Sequence, residues 1–292
     1  YRTKDGIYFD TALFKNYGAL GGIAAGNQEG ARVAVHLEKH NPADFALWKF
    51  SSEMGWDSPW GRGFPGWHTE CSAMIRRLLG EQIDIHTGGI EHIPIHHNNE
   101  IAQSEAATGK SPFARFWLHR AHIQIDGHKI SKSEGEVIYL KNIIERGFSP
   151  LTLRYWFLTS HYKTPANFTW EALGGAHNAL KRLERVVQEY ADAGQAKVPA
   201  RWQVKFHERV NDDMDTPGAI AIIWDMLKDE KLKPEEKKAA LLDFDRVLGI
   251  GLSSHKIESP TPLPPDVQKL VNEREEARKK EDWKKADELR EE

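Results

Sequence analysis

From Glu81 to Gly127 the sequence follows an order that few folds satisfy. "QIDIHTGG" is a short strand running into a glycine turn. "HNNEIAQSEAATG" is a helix closed by Gly109, and "WLHRAHIQIDG" is strand again, ending at an Asp-Gly turn. Just before it, "HTECSAMIRRLLG" places Cys71, Met74, Ile75, Leu78 and Leu79 at helical spacing, with Gly80 as a stop. Helix, strand, turn, helix and strand in succession are the pattern of a parallel α/β sheet. After Pro150 the pattern changes. "TLRYWFLTSHY", "WEALGGAHNALKRLERVVQEYADAG", "FHERVNDDMDTPGAIAIIWDMLKD" and "PEEKKAALLDFDRVLG" all read as helix. The second of these carries Leu173, Ala176, Leu180, Leu183, Val186 and Val187 as a core-facing stripe. The expected architecture is a parallel α/β part followed by an α-helical bundle.

The flanks are less regular. Upstream, "YGALGGIAAGNQEG" is glycine punctuation, "ARVAVHL" is strand-like and "NPADFALWKF" is a short apolar run. "SPWGRGFPGW" is too rich in Gly and Pro for regular structure and reads as a loop. At the other end "ESPTPLPPD" is a linker, and Val267 to Glu292 form one highly charged last helix. The single cysteine, Cys71, excludes an intrachain disulfide. No apolar run reaches the length of a membrane span. A net charge of −3 argues against wholesale coating of a polyanion, while leaving room for a local basic face. The first residue is not Met and the last helix has no terminator, so the chain is expected to be an internal piece of a longer protein.

Two stretches carry chemistry. In "HIPIHHNNEIAQSE" His96 and Glu100 stand four residues apart, on one face of a helix, where both can point at one ion. His97 projects about 100° round the helix, away from that pair. Cys71 lies in another α/β unit, which sheet winding can bring to the same edge. Sulfur, nitrogen and oxygen donors together suit Zn²⁺, which prefers four ligands, so one is missing. The second stretch, "HKISKSEG", sets Lys129, Ser131, Lys132 and Ser133 on a loop between glycines. Ammonium and hydroxyl groups on such a loop fit the charge that develops on departing pyrophosphate. Each stretch alone also fits a plain wet helix or a polar surface turn.

Together the stretches resemble one family. "DGIYFDT", "NPADFALWK", "GWHTECSAM", "IHTGG…HHNNEIAQSEAATGK", "FWLHRAHIQIDGHKISKSEG", "LRYWFLTSHYKTPANFTWEAL" and "VNDDMDTPGAI" occur in the order found in cysteinyl-tRNA synthetases, which are class I aminoacyl-tRNA synthetases. "KISKS" is similar to their KMSKS signature, with Ile130 for Met. The resemblance implies a Rossmann-type catalytic sheet, ATP with Mg²⁺ as substrate, and transfer of L-cysteine to tRNA(Cys). It also implies one Zn²⁺, with Cys71, His96 and Glu100 on three ligand positions and the fourth on a cysteine absent from this chain. By the same likeness Lys132, supported by Lys129, acts on ATP, with Ser131, Ser133 and His119 nearby. Trp67 stands beside the substrate side chain, although core packing is its plainer role. The implied layout is residues 1–60 as the remainder of a connective insertion and lead-in, 61–125 as the second half of the Rossmann-type domain and 126–170 as the KISKS loop and stem-contact region. Residues 171–255 are then a tRNA-binding bundle, and 256–292 a linker with a truncated helix.

A cytoplasmic monomer is implied as well, and the 292 residues alone are expected to activate cysteine poorly, because the HIGH signature is not among them. The chain departs from the family pattern at Thr87 (usually Gly), Glu91 (usually Asp), Pro94 and Ile95 (usually Phe-Pro) and Glu136 (usually Asn). Two alternatives stay open: the mycothiol-pathway ligase, which joins activated cysteine to an amino sugar, and a non-catalytic zinc- or tRNA-binding fragment.

Overall fold

A computed structural model describes residues 1–21, 38–125, 127–129, 137–253, 265–280 and 282–291. These fall into two compact units: residues 1–139 with 160–172, and residues 140–159 with 173–292. The strand-like "ARVAVHL" and Ile130 to Glu136 of the KISKS loop lie outside the described residues.

In the first unit β1 (Gly6–Phe9), β2 (Phe45–Phe50) and β3 (Gly63–Pro65) form an antiparallel sheet. The strand β3 falls inside the stretch expected to be a loop. It forms because glycines let two backbones meet: a Cβ on Gly63 would stand 1.9 Å from the Lys49 carbonyl oxygen. Then come α1 (Trp67–Leu78), β4 (Ile83–Gly89), α2 (Asn98–Thr108) and β5 (Ala114–Arg120). β4 and β5 pair in parallel, from Ile83 against Ala114 to Gly89 against Arg120, as the helix–strand succession requires. β6 (Ile123–Ile125) and β7 (His128–Lys129) make a hairpin at Gly127, whose φ is 80°. The unit's core gathers Ile83, Ile101, Phe113 and Ala114, with Ile75 and Trp117 packed against it.

The apolar stripe of α1 is not a buried face: Met74 is 55%, Leu78 77% and Leu79 69% exposed. Helical spacing marks an apolar face, but a two-stranded sheet is too narrow to cover it, and only Ile75 reaches the core.

The second unit is helical. After α3 (Leu140–Glu145) and α4 (Pro150–Leu158) the chain returns to the first unit for β8 (Ala166–Phe168), which pairs in parallel with β6. α5 (Trp170–Glu189), α6 (Ala200–Asn211), α7 (Thr216–Lys228) and α8 (Pro234–Leu248) follow. Leu173, Ala176, Leu180 and Leu183 of α5 are buried as the stripe predicts, while Val186 and Val187 are only partly so. Phe206 and Phe244 stack at 4.1 Å between α6 and α8. The "FHERV…WDMLKD" run is two helices, not one, because Asp213 and Met214 take positive φ and Asp215 caps the second. The last helix likewise divides, into α9 (Pro265–Lys279) and α10 (Trp283–Glu291).

Candidate metal centre

Three elements of the first unit converge on Glu100. α1 presents Cys71 one turn after its start. A π-helical turn, Ile93–His97, delivers His96 and runs directly into α2, which presents Glu100. Residues 98 to 104 are all buried, polar side chains included. Such burial is tolerable only if the polar atoms are paired. Asn98 Nδ2 donates to the Ile93 carbonyl at 2.7 Å, and the Tyr17 hydroxyl donates to Asn99 Oδ1 at 2.5 Å. Gln103 Nε2 donates to the His68 carbonyl at 2.5 Å and to Ser72 Oγ at 2.6 Å. The Gln103 bonds tie α2 to α1 beside the residues of interest and so fix Cys71 relative to Glu100.

One buried atom breaks the rule. Glu100 is 0% exposed, and its Oε1 has no hydrogen-bond partner among the described residues. A buried carboxylate oxygen left bare costs on the order of 1–3 kcal/mol or more. The ligand atoms of Cys71, His96 and Glu100 lie within 4.8 Å of one another around it. A cation held there would satisfy the orphaned oxygen, and sulfur, nitrogen and oxygen donors are a zinc-like set. The three residues fit the ion.

Imidazoles line the rest of the site. His68 Nδ1 lies 2.7 Å from His96 Nδ1, which leaves His96 Nε2 facing Glu100 Oε2 at 3.7 Å. His86 Nε2 is 2.8 Å from Glu100 Oε2, and His97 Nδ1 is 2.7 Å from His119 Nε2. Burial, with neighbouring imidazoles adding, pushes His68 and His97 down to about 3. Burial also lowers His96, against the opposing pull of the Glu100 charge. These rings are therefore neutral near pH 7, the form in which imidazole binds a metal. Burial raises the Cys71 thiol, with the Glu100 and Glu70 charges adding to it.

The predicted triad comes together from α1, the Ile93–His97 turn and α2. Trp67 is 57% exposed, which rules out plain core packing, and its ring stacks on His96 at 4.3 Å. His119 joins the imidazole cluster through His97. Lys129 is described only as backbone in β7 and its side chain is not, so the lysine and serine positions of the loop are not placed relative to the centre. His97 stays out of the Cys71–His96–Glu100 set, as its helical angle predicts, yet it faces the same carboxylate. Sequence reasoning missed His68, His86 and Gln103. The crowding of His86, His92, His96 and His97 into twelve residues was the available signal. Thr87 is exposed, so its departure from glycine does not crowd the site.

A profile described as the tRNA synthetases class I (C) catalytic domain matches residues 1–178, and one described as the cysteinyl-tRNA ligase anticodon binding domain matches residues 261–292. The chain belongs to the cysteinyl-tRNA synthetase family. Among curated members, cysteine–tRNA ligase 1 of Burkholderia lata is 45% identical over 100% of this chain and 62% of its own length. The cysteine–tRNA ligase of Shouchella clausii is 38% identical over 99% of this chain and 66% of its own. That of Halalkalibacterium halodurans is 39% identical over the same shares. The chain thus spans about 62–66% of the length of these family members. A solved structure, the ternary complex of Agrobacterium radiobacter K84 agnB2 LeuRS with tRNA and LeuAMS, superposes with a TM-score of 0.52 at 17% identity, over 70% of this chain and 34% of that one. This likeness is one of fold, and it agrees with the Rossmann-type α/β sheet and following helices read from the sequence. No helix among the described residues is long and apolar enough to cross a membrane.

Proposed function

We propose that the whole protein is a cysteine–tRNA ligase and that this chain carries its amino-acid selection site. The observation that supports the reading most is the Cys71–His96–Glu100 set around a buried, unpartnered carboxylate oxygen. Zn²⁺ held by Cys71, His96 and Glu100 would supply Lewis acidity that favours a thiolate over an alcohol. A pocket sorting by shape alone separates such near-isosteres by only about 10- to 200-fold.

The chain's own residues shape and orient this site. His68 holds the His96 ring in the orientation that presents Nε2, and the Gln103 bonds fix the two helices. Trp67, stacked on His96 and partly exposed, walls the space where the cysteine side chain sits. Lys132 and Lys129, with Ser131, Ser133 and His119, bind ATP·Mg²⁺ and neutralise pyrophosphate as the cysteine carboxylate attacks the α-phosphorus. The terminal ribose hydroxyl of tRNA(Cys) then takes the cysteinyl group and AMP leaves. The match to an anticodon-binding profile favours tRNA over an amino sugar as acceptor.

Two measurements test the reading. Zinc content after metal-free purification and zinc titration is compared for the unmodified chain, Cys71→Ala and His96→Ala. Stoichiometric zinc, lost in both variants, is expected. In the whole protein, cysteine-dependent ATP–pyrophosphate exchange should require zinc and fall sharply with Lys132→Ala. Exchange unaffected by either change would sink the assignment.

A further inference from the structure

Glu100 faces a second pair of ligands that the reading above leaves unused. His86, from the middle of β4, and His97, from the π-type turn, place their ligand atoms within 4.8 Å of one another and of the Glu100 carboxylate. His86 Nε2 is 2.8 Å and His97 Nε2 3.9 Å from the same oxygen, Glu100 Oε2. A plain hydrogen bond accounts for the first distance. It does not account for His97 Nε2, which faces the same oxygen from beyond hydrogen-bonding distance.

Two further features are those of a ligand set. The other nitrogen of His97 is held by His119 at 2.7 Å, and such an outer contact orients an imidazole toward a metal. β4 also passes close to the His97 ring: a Cβ on Gly88 would stand 2.9 Å from its Nε2. His97 and Glu100 are sealed, with side chains 2% and 0% exposed, while His86 at 17% leaves an approach.

We infer that His86, His97 and Glu100 form a second seat for a divalent cation, built of nitrogen and oxygen donors alone, which competes with the Cys71–His96 seat for the Glu100 carboxylate. One ion is held at a time, because two dications against one carboxylate and one thiolate would leave uncompensated charge in a dry site. Donor chemistry then selects the seat. Zn²⁺ goes to the thiolate, while Co²⁺ and Ni²⁺ are well served by imidazole and carboxylate.

Co²⁺ titration of the metal-free full chain, read by equilibrium dialysis and absorption, tests the inference. Cys71→Ser should still bind one Co²⁺ per chain, with d–d absorption and no thiolate-to-cobalt charge-transfer band. Adding His86→Asn or His97→Gln should weaken that binding at least about tenfold, and adding His96→Gln should not. His97 is buried and its replacement risks misfolding; His86, partly open on its strand, gives the same readout. Failure of Cys71→Ser to hold Co²⁺, or binding lost with His96→Gln and kept with His86→Asn, would overturn the inference. Zinc binding by the unmodified chain, compared with Cys71→Ala, tests the thiolate seat separately, so the two readings fail independently.

Discussion

Gly88 lies where β4 passes the His97 ring, and a Cβ there would come 2.6 Å from ring atom Cε1 and 2.8 Å from His92 Nδ1. Both neighbours are ring atoms on packed side chains, so Gly88→Ala should destabilise the chain by about 1–3 kcal/mol in urea unfolding, as overpacking does. An unchanged midpoint would mean that the rings move freely. The buried imidazoles set a pH dependence. His68 and His97 sit near 3 in the folded chain and return to about 6.5 when unfolded. Between those values the unfolded chain binds more protons. Stability of the metal-free chain is therefore complete above about pH 6.5 and falls as pH drops toward 3, by up to about 1.4 kcal/mol per pH unit for each ring. Urea midpoints in chelator from pH 7.5 to 5 check this, and a flat profile would refute it. At this scale the sequence showed which residue types could bind a metal. It could not show that His86 and His119 face that site, since they come from the strands β4 and β5.

Elements were legible where local signals agree. Gly109 in the left-handed conformation ends α2, and Gly249 ends α8, as their positions after apolar runs predict. Misreadings came where a local signal was outweighed. Pro217 and the cap at Asp215 split a run whose apolar pattern continues through both helices. Asp215 Oδ1 accepts from the Gly218 amide at 2.9 Å, so Asp215→Ala should cost about 1 kcal/mol. In α5, Gly175 is exposed and a Cβ there meets nothing within 4 Å. Gly175→Ala should thus stabilise by about 0.5–1 kcal/mol. Chemical denaturation reads both, and opposite signs are the outcome to look for.

The two units differ in what holds them. The second rests on an aliphatic and aromatic helical core, the first on small sheets and a polar cluster that gathers every proposed metal ligand. Calorimetry of the metal-free chain should resolve two transitions, with zinc raising only that of the first unit, because a ligand stabilises the fold it binds. An equal shift of both would show that they unfold as one. The sequence by itself determined the parallel α/β order, the helical second half, the family and the residue types that could hold a metal, because periodicity, punctuation and ordered motifs are local properties of the chain. Only the tertiary structure decided that Cys71 meets His96 and Glu100, that α1 leaves its apolar face open and that His86 and His97 face the same carboxylate. Those facts depend on distances between residues far apart in sequence, which the winding of β4 and β5 and the polar contacts between α1 and α2 set.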